Sequence, residues 1–197
     1  MAIYHKWKTV FIQIPKNASN SIHDRLRNRT DDNLSYGSYF DVMQQNDPDL
    51  FDSYYSFSCV RNPYDRFVSA YEDEHLRTNS LPFGLEFDAF VKKIYNDGQN
   101  FYLNYGINFM PQFKFISIKN IILVDKVIKF ENLNDEWREV AEIINKKVDF
   151  KIYNKLNALN VNSLKINKNW VDYYNEKTKD MIYELYKKDF DLFGYEK

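Results

Sequence analysis

The stretch FIQIPKNASNSI, Phe11 to Ile22, sets a single lysine where an apolar run gives way to a helical pattern. A surface lysine needs no such setting, but a lysine that meets a phosphate does. A helix that begins near Ser19 exposes unpaired backbone N–H groups and the positive end of its dipole, which together attract anions. Asn17, Ser19, Asn20 and Ser21 offer amide and hydroxyl donors, Ala18 lets the backbone come close, and Lys16 brings a mobile full charge. These make a nest for a phosphate or a sulfate. The plainer alternative is a capped helix beside a solvated lysine. The loop does not have the G-x-x-x-x-G-K-[ST] pattern of the common nucleotide-binding loop, because its lysine comes first and it has no glycine.

A second stretch, CVRNPYDRFVSAY, repeats the theme. Arg61 stands where another apolar run ends, and a guanidinium suits two-pronged contact with phosphate. Ser69 lies two helical turns further on, within reach of the same anion. Arg66 is a second candidate, with a solvated or Asp-paired role as its alternative. Arg61 has its own alternative, pairing with a carboxylate near the strand end. One ligand carrying two separated phosphate groups would explain both junctions.

Those residues need strands and helices to hold them. Thr9–Ile14 and Tyr55–Val60 read as buried strands, short and apolar. Ser19–Arg29 reads as a helix with Ile22 and Leu26 on one face. The stretch from Asn62 to Arg77 reads as another helix, with Asn62 at the N-cap, Pro63 at the first helical position and Asp65 in the first turn. Helical patterns recur over Phe87–Tyr95, Glu136–Lys146 and Tyr173–Asp189, and Asn120–Phe130 reads as one strand or a strand pair. Alternating strands and helices imply an α/β domain with a mainly parallel sheet, whose ligands bind at the carboxyl ends of the strands. The chain has 197 residues, without repeats or Pro/Gly-rich linkers, so residues 1–197 are expected to form a single domain.

Composition narrows the function. A formal net charge of −1 gives no basic field for nucleic acid. One cysteine, Cys59, rules out an intrachain disulfide. No stretch approaches the ~18 apolar residues of a membrane span, so a soluble, cytoplasmic protein with no membrane partner is expected. Tyr and Phe number 16 each, which fits an aromatic-rich core, with a sugar- or base-stacking surface as the alternative. No His/Cys/Asp cluster has metal-ligand spacing, so no metal is expected.

Taken together, IPKNASNS and VRNPYDRFVSAY resemble the 5′-phosphosulfate loop and the 3′-phosphate motif of the PAPS-dependent sulfotransferases, in particular the carbohydrate (sulfotransferase family 2-like) branch. PQFKFI (Pro111–Ile116), VIKFENLNDEW (Val127–Trp137) and ELYKKDFDLFGY (Glu184–Tyr195) are similar to later blocks of that family in the same order. The resemblance implies a P-loop-like three-layer α/β domain, with PAPS as donor and PAP as product. It implies that Lys16 reaches the phosphosulfate bridge and that Ala18, Ser19, Asn20 and Ser21 hold the 5′ end. It implies further that Arg61 and Ser69 bind the 3′-phosphate, and that Asn160–Lys168 stands where relatives have a loop that closes over the nucleotide. The acceptor is then a hydroxyl, expected on a glycan.

In-line sulfuryl transfer rests on positioning and charge stabilisation, with a base for the acceptor hydroxyl. Many relatives carry histidines where this chain has Ser38 and Asn108. Among its three histidines, His75 has Glu72 at i−3, the spacing of a base and its orienter, although YEDEHLR also reads as a solvated charged face. His23, Glu74 and Asp73 are further options. A kinase-like transferase on the same fold, and a non-catalytic nucleotide- or glycan-binding module, are the competing functions. Oligomeric state and acceptor identity are not legible.

Overall fold

The computed structural model describes residues 2–26, 53–78, 82, 84–148 and 169–197. Its strands are β1 (Ala2–Tyr4), β2 (Thr9–Ile12), β3 (Tyr55–Val60), β4 (Ser117–Ile118), β5 (Ile121–Ile122) and β6 (Lys126–Lys129). Its longer helices are α1 (Ser19–Leu26), α2 (Pro63–Thr78), α3 (Phe87–Asn96), α4 (Leu133–Lys147) and α5 (Glu176–Phe193). Ser38 and the Asn160–Lys168 stretch lie outside the described residues. The chain divides into two compact units, residues 1–60 with 112–161, and residues 61–111 with 162–197.

The first unit is built on a four-stranded sheet in the order β1-β2-β3-β6. β2 pairs in parallel with β3, Thr9 opposite Tyr55 and Ile12 opposite Ser58, and β3 pairs in parallel with β6, Phe57 opposite Lys126. β1 is antiparallel to β2. The mainly parallel sheet expected from the alternation is therefore present, with one antiparallel edge strand that the short AIY run did not signal. Alternation along β3 sends Tyr55, Phe57 and Cys59 to one face. There they pack with Tyr4, Phe11, Ile22 and Leu26, and with Trp137, Val140 and Ile144 of α4. Phe11 and Phe57 stack with ring centroids 4.8 Å apart. The serines of β3 point the other way and are buried with partners: Ser58 donates to the Ile12 carbonyl at 2.7 Å and Ser56 to Asp125 at 2.8 Å. The Asn120–Phe130 region resolves into two elements. β5 forms a hairpin with β4 through Lys119 and Asn120, both at positive φ, and β6 joins the main sheet.

The second unit is helical. α5 buries Thr178, Ile182, Leu185, Tyr186, Asp189, Phe190 and Phe193, a stripe at helical spacing. It packs with Phe67 and Tyr71 of α2, with Phe90, Val91 and Ile94 of α3, and with Phe101 and Phe109. Phe67 alone meets Phe87, Phe90, Phe109 and Tyr186 at 5.4–6.1 Å, in tilted or edge-on geometries that suit ring quadrupoles. The abundant aromatics are thus largely core. Tyr105 and Phe109 are buried in it. α5 starts at Asn175 with a full capping box and ends at Gly194 in the left-handed conformation. No helix among the described residues is long and apolar enough to cross a membrane.

Candidate functional site

The parallel pairing of β2 and β3 sends their carboxyl ends to the same sheet edge, where ligands of open α/β sheets bind. β2 leads through Gln13 and Ile14 into the Pro15–Ala18 loop and then α1. Lys16 (φ 70°) and Ala18 (φ 58°) both take the left-handed conformation, with Asn17 between them. Neither is glycine, so each costs about 1–2 kcal/mol that the surroundings must offset. Alternating signs of φ turn successive backbone N–H groups toward one concavity, the geometry of an anion nest. The Ala18 carbonyl accepts the first helical bond from Ile22 at 3.1 Å. A methyl side chain at that position offers the helix no cap acceptor, unlike Ser, Thr, Asp or Asn.

Three side-chain bonds hold the loop in this shape. Ser19 Oγ donates to the Ile14 carbonyl at 2.8 Å, closing the loop on itself. Asn17 Nδ2 donates to the Cys59 carbonyl at 2.9 Å and to Gln112 Oε1 at 2.7 Å. Asn17 and Gln112 are both fully buried. The Asn17 amide therefore anchors the loop instead of presenting donors to an anion, and the Ser19 hydroxyl proton is likewise spent inside the protein. Lys16, between Pro15 and Asn17, is partly buried. Ser21 is buried and Asn20 exposed on the first turn of α1. His23, one turn on, shares its Nδ1 with the Tyr4 hydroxyl at 2.7 Å.

Arg61 directly follows β3. Its Nε and one Nη donate to the two carboxylate oxygens of Asp65, at 2.7 and 2.8 Å. The pairing with a nearby carboxylate, weighed against phosphate binding, is thus present; the i, i+4 spacing was its signal. Asn62 Oδ1 accepts from the Tyr64 N–H at 3.0 Å, so the cap and Pro63 at the first helical position stand as the sequence predicts. Ser69 lies one turn beyond Asp65 on the same face of α2, partly buried. Arg66 is not solvated: it is buried, and burial pushes its guanidinium pKa down while Tyr186 and Asp189 oppose the shift. It braces α2 inside the unit's core.

The candidate bases are tied in distinct ways. The ring of His75 stacks on Tyr71 at 5.2 Å. Glu72 hydrogen-bonds to the Tyr173 hydroxyl, whose pKa is raised by burial first and by this bond second. The Trp170–Tyr173 turn packs on α2 and so brings a hydroxyl to the Glu72 carboxylate, three residues before His75 on the same helix. Glu74 Oε1 accepts from Asn108 at 2.6 Å and from Arg77 at 2.7 Å, and Asp73 also pairs with Arg77. Among the described residues no group of three or more His, Cys, Asp or Glu side chains is placed to hold a metal ion. Gln112 escaped the sequence reading, since nothing local marks a glutamine as the partner of an asparagine 95 positions away.

Comparison with known proteins finds no matching curated protein and no matching solved structure. A family model described as "Sulfotransferase family" matches residues 3–196, nearly the whole chain. With that match, the chain belongs to the sulfotransferase family, in the family 2-like branch that its two anion motifs resemble.

Proposed function

We propose that the protein transfers a sulfuryl group from PAPS to a hydroxyl acceptor, a carbohydrate hydroxyl by its branch resemblance, and releases PAP. The observation that carries this reading is the loop ahead of α1, where two non-glycine residues are held at positive φ so that backbone N–H groups gather beside Lys16. Maintaining strain in a loop is a common mark of a functional site. The donor supplies, when bound, a sulfuryl group on a phosphate leaving group. The loop fits its 5′ end, because the nest and the start of α1 offer N–H donors and positive potential without a competing carboxylate on the loop itself. On this proposal residues 1–197 work as a single sulfotransferase-like domain of P-loop-like architecture.

Lys16 then neutralises charge that builds on the bridging oxygen, an interaction stronger in the transition state than in the ground state. The N–H groups of Ala18 to Ser21 hold the 5′ end in place. Arg61, oriented by Asp65, and Ser69 take the 3′-phosphate, which shares the guanidinium with the carboxylate. His75 is the proposed base for the acceptor hydroxyl, its ring set by Tyr71; Glu72 supports the same face of α2 through Tyr173.

Calorimetric titration of the protein with PAP tests this, with ATP plus Mg²⁺ and AMP as controls and with Arg61→Ala alongside. Tight PAP binding, weak AMP binding and a loss of about 30-fold in Arg61→Ala are expected, the scale of a hydrogen-bonded charge contact. Absence of PAP binding, or equal affinity for ATP with Mg²⁺, overturns the reading in favour of a kinase-like transferase.

A further inference from the structure

We infer that Gln112 is a positioning residue for the anion loop, acting through Asn17. This rests on the donor-binding role proposed above for the loop. The left-handed backbone at Lys16 and Ala18 is unfavourable for residues with a Cβ, so something must keep the loop from relaxing. Asn17, between the two strained residues, is fully buried and inserts its amide below the loop. Its Nδ2 finds two acceptors, the Cys59 carbonyl at the end of β3 and Gln112 Oε1. The first ties the loop to the sheet edge. The second ties it to the chain that runs into the Phe113–Ile116 turn and on toward β6.

Gln112 has no exposed surface to justify a polar side chain, and a buried amide is costly unless bonded. Its oxygen meets the loop's anchor at 2.7 Å, a short contact for an amide pair. The clasp therefore sets where the N–H groups of the nest point. Removing the acceptor leaves the Asn17 amide with only the Cys59 tie and lets Lys16 and Ala18 relax toward ordinary φ, which scatters the donors.

The experiment measures PAP and 3′-AMP affinities by titration for the wild type, Gln112→Met and Gln112→Glu. 3′-AMP carries the 3′-phosphate but lacks the 5′ group that the loop holds. Gln112→Met keeps length and shape and removes the amide oxygen; Gln112→Glu retains an acceptor. The expected result is an about tenfold weaker PAP affinity in Gln112→Met, an unchanged 3′-AMP affinity, and near wild-type PAP binding in Gln112→Glu. Equal weakening for both ligands, or no weakening for either, overturns the inference, as does failure of Gln112→Glu to retain affinity. Should Gln112→Met fail to fold, Asn17→Ala cuts the same clasp from the loop side, with the same two outcomes. A wild type that binds no PAP overturns the donor reading itself, and is distinguished from failure of the clasp by the unmutated protein alone.

Discussion

The two strand-to-helix junctions solve the same physical problem in opposite ways. At Pro15–Ala18 the backbone is strained, the residue ahead of the helix has no side-chain cap, and buried amides hold the shape. At Arg61–Pro63 the backbone is ordinary, Asn62 caps the helix, and it is a side chain, Arg61, that is held, by Asp65. One junction presents N–H groups and must fix main chain; the other presents a guanidinium and must fix a rotamer. On the proposed reading the first loop binds through its backbone, and a cap there would occupy the same donors. A helix that merely carries an arginine to its place can be capped.

The largest effect that follows is on Lys16. Lys16→Ala should lower sulfuryl transfer from PAPS by about 10²–10³-fold, the scale of removing one group that stabilises transition-state charge. PAP affinity should fall far less, since the nest persists. Radiolabelled sulfate transfer beside PAP titration separates the two. Equal losses in both would make the lysine a binding residue only, and would favour a module that binds without catalysis.

The next effect separates the units by pH. Burial first, then neighbouring carboxylates, pushes Tyr64 and Tyr71 of α2 up to about 12, and Tyr55 of β3 likewise. Tyr105, Tyr173, Tyr174 and Tyr186, all in the helical unit, are raised further. A tyrosine whose folded pKa lies above its unfolded value of 10 favours folding at lower pH. That contribution is full below pH 10 and is lost as pH rises toward 12. The helical unit holds more of these groups and should lose structure first. Single-tryptophan variants report it: the Trp170 fluorescence should change at lower pH than that of Trp7 or Trp137. Coincident changes would mean that the two units unfold as one.

How much of this was legible from sequence follows from the range of the interactions. β3 and α2 could be read almost to the residue, because Tyr55–Val60 alternates and Asn62, Pro63 and Asp65 are local start signals. The position of the strand-to-helix loop ahead of α1 was legible for the same reason: apolar run, proline, lysine, small residues. Its geometry was not. Positive φ at Lys16 and Ala18 defies local preference, and the clasp that permits it joins Asn17 to residues 42 and 95 positions away. Three-residue β1 has too short a pattern to detect, and the register that makes it an edge strand is set by its pairing with β2. The Glu72–Tyr173 contact was not legible, because helical spacing says which side chains are neighbours on one helix and says nothing of a tyrosine arriving from another element.

A smaller effect tests the ordinary junction. Asn62→Ala removes the acceptor for the Tyr64 N–H and should cost about 1 kcal/mol, or about 2–4 °C in Tm. PAP affinity should stay unchanged, because the Asn62–Tyr64 bond caps the start of α2. A loss of affinity in Asn62→Ala would show that the two junctions are not as different as their geometry suggests.

The smallest expected effect compares one substitution at two sites. Ala→Gly in a helix costs about 1 kcal/mol through lost propensity, and more where a buried methyl leaves a gap. Ala70, buried on α2, should behave so. At Ala18 the same change removes the clash of a Cβ at φ 58° and so recovers about 1 kcal/mol, while the freer unfolded chain takes back about 0.4–1 kcal/mol. Ala18→Gly should therefore leave stability within about 0.5 kcal/mol of wild type, and Ala70→Gly should lie at least about 1 kcal/mol below it. Denaturant unfolding of both variants measures the difference. If Ala18→Gly destabilises as much as Ala70→Gly, the alanine is not held in the left-handed conformation, and the strained loop that distinguishes the first junction from the second is not there.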